Sequence, residues 1–134
     1  MAKKILIVDD EPDIVLLLAS RMKEEGYEVL KAGDGVTALE LAKREKPHLI
    51  ILDLMLPRMD GYKVCALLKR DSRYARIPII LFTARAQEED RRMGQEAGAD
   101  AYITKPFDPE VLLKKIQELT HQGEIDAQGQ EIAR

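Results

Sequence analysis

Five short apolar runs punctuate the chain: Ile5–Val8, Tyr27–Lys31, Leu49–Leu52, Ile79–Phe82 and Ala101–Thr104. Runs this short, rich in Ile and Val, predict strands. The first, third and fourth are apolar throughout, which predicts burial on both faces. Between them the apolar spacing changes to that of a helix. Ile14, Leu17, Leu18 and Met22 fall on one stripe, and Ala38, Leu41 and Ala42 repeat it. Val64, Leu67 and Leu68 do the same, as do Leu112, Ile116 and Leu119. Gly26 stands where a helix C-cap belongs, and Asp34 and Asp108 stand at N-cap positions. Pro12 and Pro109 suit the first turn of a helix. The fourth helical segment, Ala86 to Ala97, is the weakest. Charge dominates it, Gly94 interrupts it, and Met93 and Ala97 are its main candidates for burial.

The predicted order is a strict alternation of strand and helix without an internal linker. That order implies an α/β domain: a doubly wound five-stranded parallel sheet with right-handed crossovers and helices on both faces. After Leu119 the pattern stops. Residues 121–134 are polar, with two Gly and no apolar stripe, and predict a frayed tail or the start of a linker after a domain spanning 1–120.

Composition narrows the class. A chain of 134 residues is long enough to bury a core without disulfides. With no Trp and two Phe, that core must be aliphatic. The single Cys65 cannot form an internal disulfide, in keeping with a reducing cytoplasm. No apolar run approaches the ~18 residues of a membrane span. The short N-terminal run ends at Asp9-Asp10-Glu11, too early for a signal peptide. A net charge of −3 with no basic block argues against direct nucleic-acid binding.

Ligand sites in open α/β sheets lie beyond the carboxyl ends of the strands. Strand 1 ends in Asp9-Asp10, strand 3 in Asp53, strand 4 in Thr83 and strand 5 in Lys105. Strand 2 offers no comparable group. The order 2-1-3-4-5 explains this distribution, because it centres strand 3 and leaves strand 2 outside the group. Taken singly, an Asp after a strand is usually a cap or turn residue, and a Thr or Lys there is unremarkable. Jointly they define chemistry. Converging carboxylates repel one another, and a divalent cation relieves that repulsion. Mg²⁺, with Mn²⁺ as a substitute, suits hard oxygen ligands and one or two carboxylates plus a phosphate. Two His and one Cys make a poor zinc set. A carboxylate is already ionised near neutral pH and attacks phosphorus without a general base. The Thr83 hydroxyl and Lys105 ammonium would share the charge on the phosphoryl oxygens.

These residues resemble those of the receiver domains of two-component response regulators. The matching stretches are Ile7-Val8-Asp9-Asp10-Glu11-Pro12, Leu52-Asp53-Leu54-Met55-Leu56-Pro57 with Met59-Asp60-Gly61, Phe82-Thr83-Ala84, Gly98-Ala99-Asp100-Ala101-Tyr102 and Thr104-Lys105-Pro106-Phe107. The resemblance covers about Lys3 to Leu119. It implies a flavodoxin-like (βα)5 fold like that of chemotaxis regulators, with Asp53 as phosphoacceptor. Asp10 would bind Mg²⁺ directly, Asp9 largely through water, and the Met55 backbone carbonyl would be a further ligand. Thr83 and Tyr102 would form a coupled switch pair, and the Lys105–Pro106 peptide would be cis. The donor would be the phosphohistidine of a sensor histidine kinase or phosphotransfer protein. The output would be an altered surface on helix 4, strand 5 and helix 5, read by a downstream protein or by an output domain of a longer regulator. Dimerising regulators of this kind often pair a second acid after Asp100 with an Arg of the last helix. Here those positions read Ala101 and Lys115, which leaves a monomer or a weak phosphorylation-dependent dimer.

Two rivals belong to other classes. An aspartyl-phosphate hydrolase of the haloacid-dehalogenase kind needs a second Asp two residues after its nucleophile. Those positions read Met55, Glu11 and Pro12, so no general acid is available. A receiver-like binding module without phosphorylation would lack part of the Asp9, Asp10, Asp53, Thr83 and Lys105 set, and all five are present. Cys65 reads as core, His48 as remote from the site, and 85–92 as a mixed-charge surface.

Overall fold

The structure is a computed structural model that describes residues 2–85 and 87–121. Strands and helices alternate as β1 (Lys4–Val8), α1 (Pro12–Glu24), β2 (Glu28–Ala32), α2 (Gly35–Glu45), β3 (Leu49–Leu52), α3 (Gly61–Lys69), β4 (Ile79–Thr83), α4 (Glu88–Glu96), β5 (Ala101–Thr104) and α5 (Pro109–His121). The sheet is parallel throughout, in the order β2-β1-β3-β4-β5. This is the doubly wound order expected from the strand tips. Helix α5 reaches one residue into the expected tail, and 122–134 lie outside the described residues.

Alternation along each strand sends side chains to opposite faces. Ile5, Ile7, Leu49, Ile51, Ile80 and Phe82 meet Leu18 and Met22 of α1 and Leu112 and Ile116 of α5. Leu6, Val8, Ile50, Leu52, Ile79 and Leu81 meet Ala38 and Ala42 of α2 and Val64 and Leu68 of α3. The three inner strands β1, β3 and β4 are buried along almost their whole length, and the core is aliphatic as expected. Cys65 packs into it, and burial pushes its thiol up to about 12.

Three stripe positions point elsewhere. Leu17 is 56% exposed and Leu67 40% exposed, because each lies at the solvent edge of a helix whose neighbours one position on, Leu18 and Leu68, take the core site. Met93 is 41% exposed, and α4 buries Asp90 and Gly94 instead. A Cβ at Gly94 would meet Leu81 Cδ1 at 3.0 Å and the Tyr102 ring at 3.1 Å, so the glycine lets α4 approach the sheet closely. Gly26 and Gly98, both at φ 91°, end α1 and α4 alike: each donates to the carbonyl three residues back, and the residue after it donates five back. Asp34 caps α2 by accepting from Thr37 N at 2.8 Å. The Asp108 carboxylate accepts from Glu110 N at 2.9 Å at the start of α5.

Candidate functional site

The ladder between neighbouring strands continues past their carboxyl ends. Asp53 N donates to Val8 O at 2.9 Å, Asp9 N to Ala32 O at 3.2 Å, and Lys105 N to Thr83 O at 2.8 Å. This register sets Asp9 and Asp53 side by side at the top of the central strands. The loop after Asp53 is then pulled in. Gly61 N donates to Leu54 O at 3.0 Å, and a Cβ at Gly61 would stand 2.2 Å from Asp53 O. Only glycine permits that approach. Asp60 caps α3 by accepting from Lys63 N at 3.0 Å.

Lys105 draws the acidic residues together. Its Nζ lies 2.7 Å from Asp9 Oδ2, 3.3 Å from Asp53 Oδ2 and 3.3 Å from Glu11 Oε1. The ammonium also stands 5.2 Å from the centre of the Phe82 ring, which Phe107 meets edge-on at 4.8 Å. The Lys105–Pro106 peptide is cis. The second oxygen of Asp9 accepts from Glu11 N at 3.0 Å, and that of Asp53 accepts from Met55 N at 3.3 Å. Asp9 and Asp53 are 2% and 3% exposed, whereas Asp10 and Glu11 face solvent. Ligand atoms from Asp9, Asp10, Glu11 and Asp53 all lie within 4.8 Å of one another.

Three of the four carboxylates thus share one ammonium. Burial pushes the Asp53 carboxyl above its ordinary value, the Asp9 charge adds to the rise, and Lys105 opposes it. Burial would lower Lys105, but its hydrogen bond to Asp9 and the Asp53 and Asp9 charges outweigh that and raise it. The uncompensated excess of hard oxygen donors fits a divalent cation of the Mg²⁺ type. His48 accepts from Lys4 N through Nδ1 at 2.9 Å, at the opposite end of the sheet.

The hydroxyls assemble on a different residue. Thr83 is fully buried, and its Oγ1 accepts from Arg85 N at 3.4 Å. Tyr102 OH donates to the Arg85 carbonyl at 2.7 Å. Thr83 and Tyr102 therefore meet the same residue through its two flanking peptide units, Thr83 at the Arg85 N–H and Tyr102 at the Arg85 carbonyl. Met55 presents a side chain that is 60% exposed. Glu11 belongs to the acidic group, which strand-tip reasoning missed because it looked at only the first two residues after β1. Its place at the start of α1, two residues beyond a ligand-type Asp, was the available signal.

The chain belongs to the response regulator receiver domain family, whose family model matches residues 5–117. It is a receiver domain of the two-component type. It is 44% identical over 132 residues to the alkaline phosphatase synthesis transcriptional regulatory protein PhoP of Bacillus subtilis (strain 168). That match covers 98% of this chain and 54% of the regulator, so the chain spans about half of this relative's length. The Vibrio cholerae chemotaxis protein CheY4 superposes with a TM-score of 0.83 at 34% identity, over 89% of this chain and 99% of that one. The receiver domain of sensor histidine kinase PA1611 from Pseudomonas aeruginosa PAO1, with magnesium in its active-site cleft, superposes with a TM-score of 0.82 at 31% identity, covering 90% of this chain and 98% of that one. Among the described residues no helix is long and apolar enough to cross a membrane.

Proposed function

We propose that this domain is switched by phosphorylation of Asp53, with the phosphoryl group coming from the phosphohistidine of a sensor histidine kinase or phosphotransfer protein. The observation that carries this reading is the half-buried Lys105 ammonium bridging the buried Asp9 and Asp53. Asp53 Oδ forms the new bond to phosphorus as the bond from phosphorus to the donor nitrogen breaks. Lys105 then exchanges a carboxylate partner for a phosphoryl oxygen, and the Thr83 hydroxyl donates to another. Asp9, Asp10, Asp53 and the Met55 carbonyl would hold Mg²⁺, or Mn²⁺ in its place. When bound, the cation supplies positive charge to the transferring phosphoryl oxygens. The product is an acyl phosphate, which water hydrolyses. The domain catalyses only its own phosphorylation and dephosphorylation, and acts in the cytoplasm.

Thr83 and Tyr102 meeting on Arg85 connects the site to α4 and β5, the surface on which the phosphorylated state would be read. The reader is a downstream protein or an output domain of a longer chain. With Ala101 and Lys115 where dimerising regulators often carry an acid and an Arg, the domain acts as a monomer or a weak phosphorylation-dependent dimer.

Incubation with Mg²⁺ and a small-molecule phosphodonor, followed by intact mass measurement, tests the assignment. The wild-type chain should gain one phosphoryl group and Asp53→Asn none. Equal labelling of both removes Asp53 from the role.

A further inference from the structure

One buried charge takes no part in this chemistry. Asp90 stands in the first turn of α4 with only 4% of its surface exposed. Burying a carboxylate is costly unless a cation or hydrogen bonds compensate it. The compensation is Arg85, whose NH2 lies 3.0 Å from Asp90 Oδ1. The arginine itself is half in solvent, at 52% side-chain exposure. The backbone at each end of this pair is clamped. Tyr102 OH holds the Arg85 carbonyl at 2.7 Å, and Tyr62 OH holds the Asp90 carbonyl at 2.8 Å.

With its backbone fixed, Arg85 keeps freedom only in its side chain. It lines a groove of about 650 Å³ together with Asp10, Met55, Tyr62 and Met93. Asp10 brings the edge of the acidic group into that groove. Besides the exposed Asp60 that lines the same groove, the guanidinium has two anionic destinations: Asp90 on α4, or the group of Asp9, Asp10, Glu11 and Asp53. In the structure it is on Asp90.

We propose that Asp90 is a positioning residue that parks Arg85 on α4, keeping the guanidinium out of the acidic cleft until a phosphoryl group on Asp53 competes for it. The proposal rests on the reading of Asp53 as phosphoacceptor. Its logic is electrostatic. An arginine in the cleft would neutralise the carboxylates and repel a divalent cation. An arginine parked on a buried carboxylate leaves the cleft acidic, yet stays in a groove that Asp10 also lines. A dianionic phosphoryl oxygen set is a strong, bidentate partner for a guanidinium. Transfer of Arg85 to it would leave Asp90 buried without its cation, so the first turn of α4 would have to move.

A purely structural role for Asp90 is the simple alternative, since an acid in the first turn favours a helix. That role is indifferent to Mg²⁺. The test is a cycle of Mg²⁺ dissociation constants measured by calorimetry on the full chain. Arg85→Ala should bind Mg²⁺ like wild type, because the parked arginine is outside the cleft. Asp90→Asn should bind about tenfold more weakly, the scale of one unit charge facing a divalent ion across solvent-screened distance. The double variant, Asp90→Asn with Arg85→Ala, should return to wild-type affinity. Unchanged affinity in Asp90→Asn, or a defect that persists in the double variant, overturns the proposal.

A second measurement needs no variant. The Arg85 Nε–Hε resonance of the wild-type chain should stay in place on addition of Mg²⁺ alone. It should shift when beryllofluoride, a phosphoryl mimic, is added with Mg²⁺. A resonance that stays fixed while the amides around Asp53 respond overturns the handover. If the wild-type chain binds neither Mg²⁺ nor beryllofluoride, the phosphoacceptor reading itself fails, and the proposal with it.

Discussion

Lys46 closes α2 in the left-handed region, at φ 44° and ψ 63°, with its N–H donating to Ala42 O at 3.0 Å. An L-residue with a Cβ is strained there by about 1 kcal/mol or more relative to glycine. Lys46→Gly should therefore stabilise the domain by about 1 kcal/mol, less the extra freedom that glycine gives the unfolded chain. Urea denaturation would show a higher midpoint at unchanged slope; a lower midpoint would mean the conformation carries no strain. The substitution lies at the far end of β3 from Asp53, so phosphorylation should not change. Nothing about a lysine announces a left-handed cap, and this one was invisible in the sequence. Asp34 and Asp60 were different. Asp34 read as a cap because an Asp ahead of an apolar-periodic segment has few other uses. Asp60 was quoted only as part of a family motif, and its capping of α3 became plain in the structure. Arg58, at φ 70° in the loop between β3 and α3, was equally hidden.

At the scale of elements, α4 and α5 are held in opposite ways. Helix α5 buries Leu112, Leu113 and Ile116 against the sheet. Helix α4 buries a glycine and an ion-paired aspartate, and leaves Met93 outside. Leu112→Ala should cost about 2–5 kcal/mol, as a large-to-small change in a packed core does. Met93→Ala should stay within about 0.5 kcal/mol, as surface changes do. Thermal and urea unfolding of the two variants would check the contrast, and a large loss from Met93→Ala would show that α4 packs through its methionine. The stripes of α1, α3 and α5 were readable because aliphatic spacing is what the sheet needs from them, give or take Leu17 and Leu67 at the solvent edge. Helix α4 misled for a physical reason. Its docking depends on Gly94, a residue that reads as a helix breaker, and on Asp90, a residue type normally exposed. Neither registers in a search for apolar periodicity. The strands were read to within one residue, and with their order came the positions of Asp9, Asp53, Thr83 and Lys105. What strand order could not reveal was that Thr83 and Tyr102 meet on Arg85 rather than on each other.

Across the whole molecule the stability of the fold and the acidity of the site oppose each other. Four carboxylates crowd together at the end of a well-packed sheet, three of them on one ammonium. Asp53 holds its proton to higher pH in the folded chain than in the unfolded one, through burial first and the Asp9 charge second. A raised carboxylate value means the folded state binds the proton more tightly, so stability falls as pH rises. The loss begins near the unfolded value of 3.8 and is complete once pH exceeds the raised value. At neutral pH the cation-free protein therefore bears the full repulsion. Asp53→Asn removes one buried charge without changing shape, and should raise the melting midpoint in chelator-treated buffer by about 4 °C, equivalent to about 1 kcal/mol. Mg²⁺ should act in the opposite sense on the pair. At a hundredfold excess over its dissociation constant it should stabilise the wild-type chain by about 2.7 kcal/mol. It should stabilise Asp53→Asn much less, because the variant lacks both a ligand oxygen and the repulsion to be relieved. The order of the two melting curves should thus narrow or invert on adding Mg²⁺. Equal shifts in both would mean that the cation binds away from Asp53, and that the acidic cleft is held together by Lys105 alone.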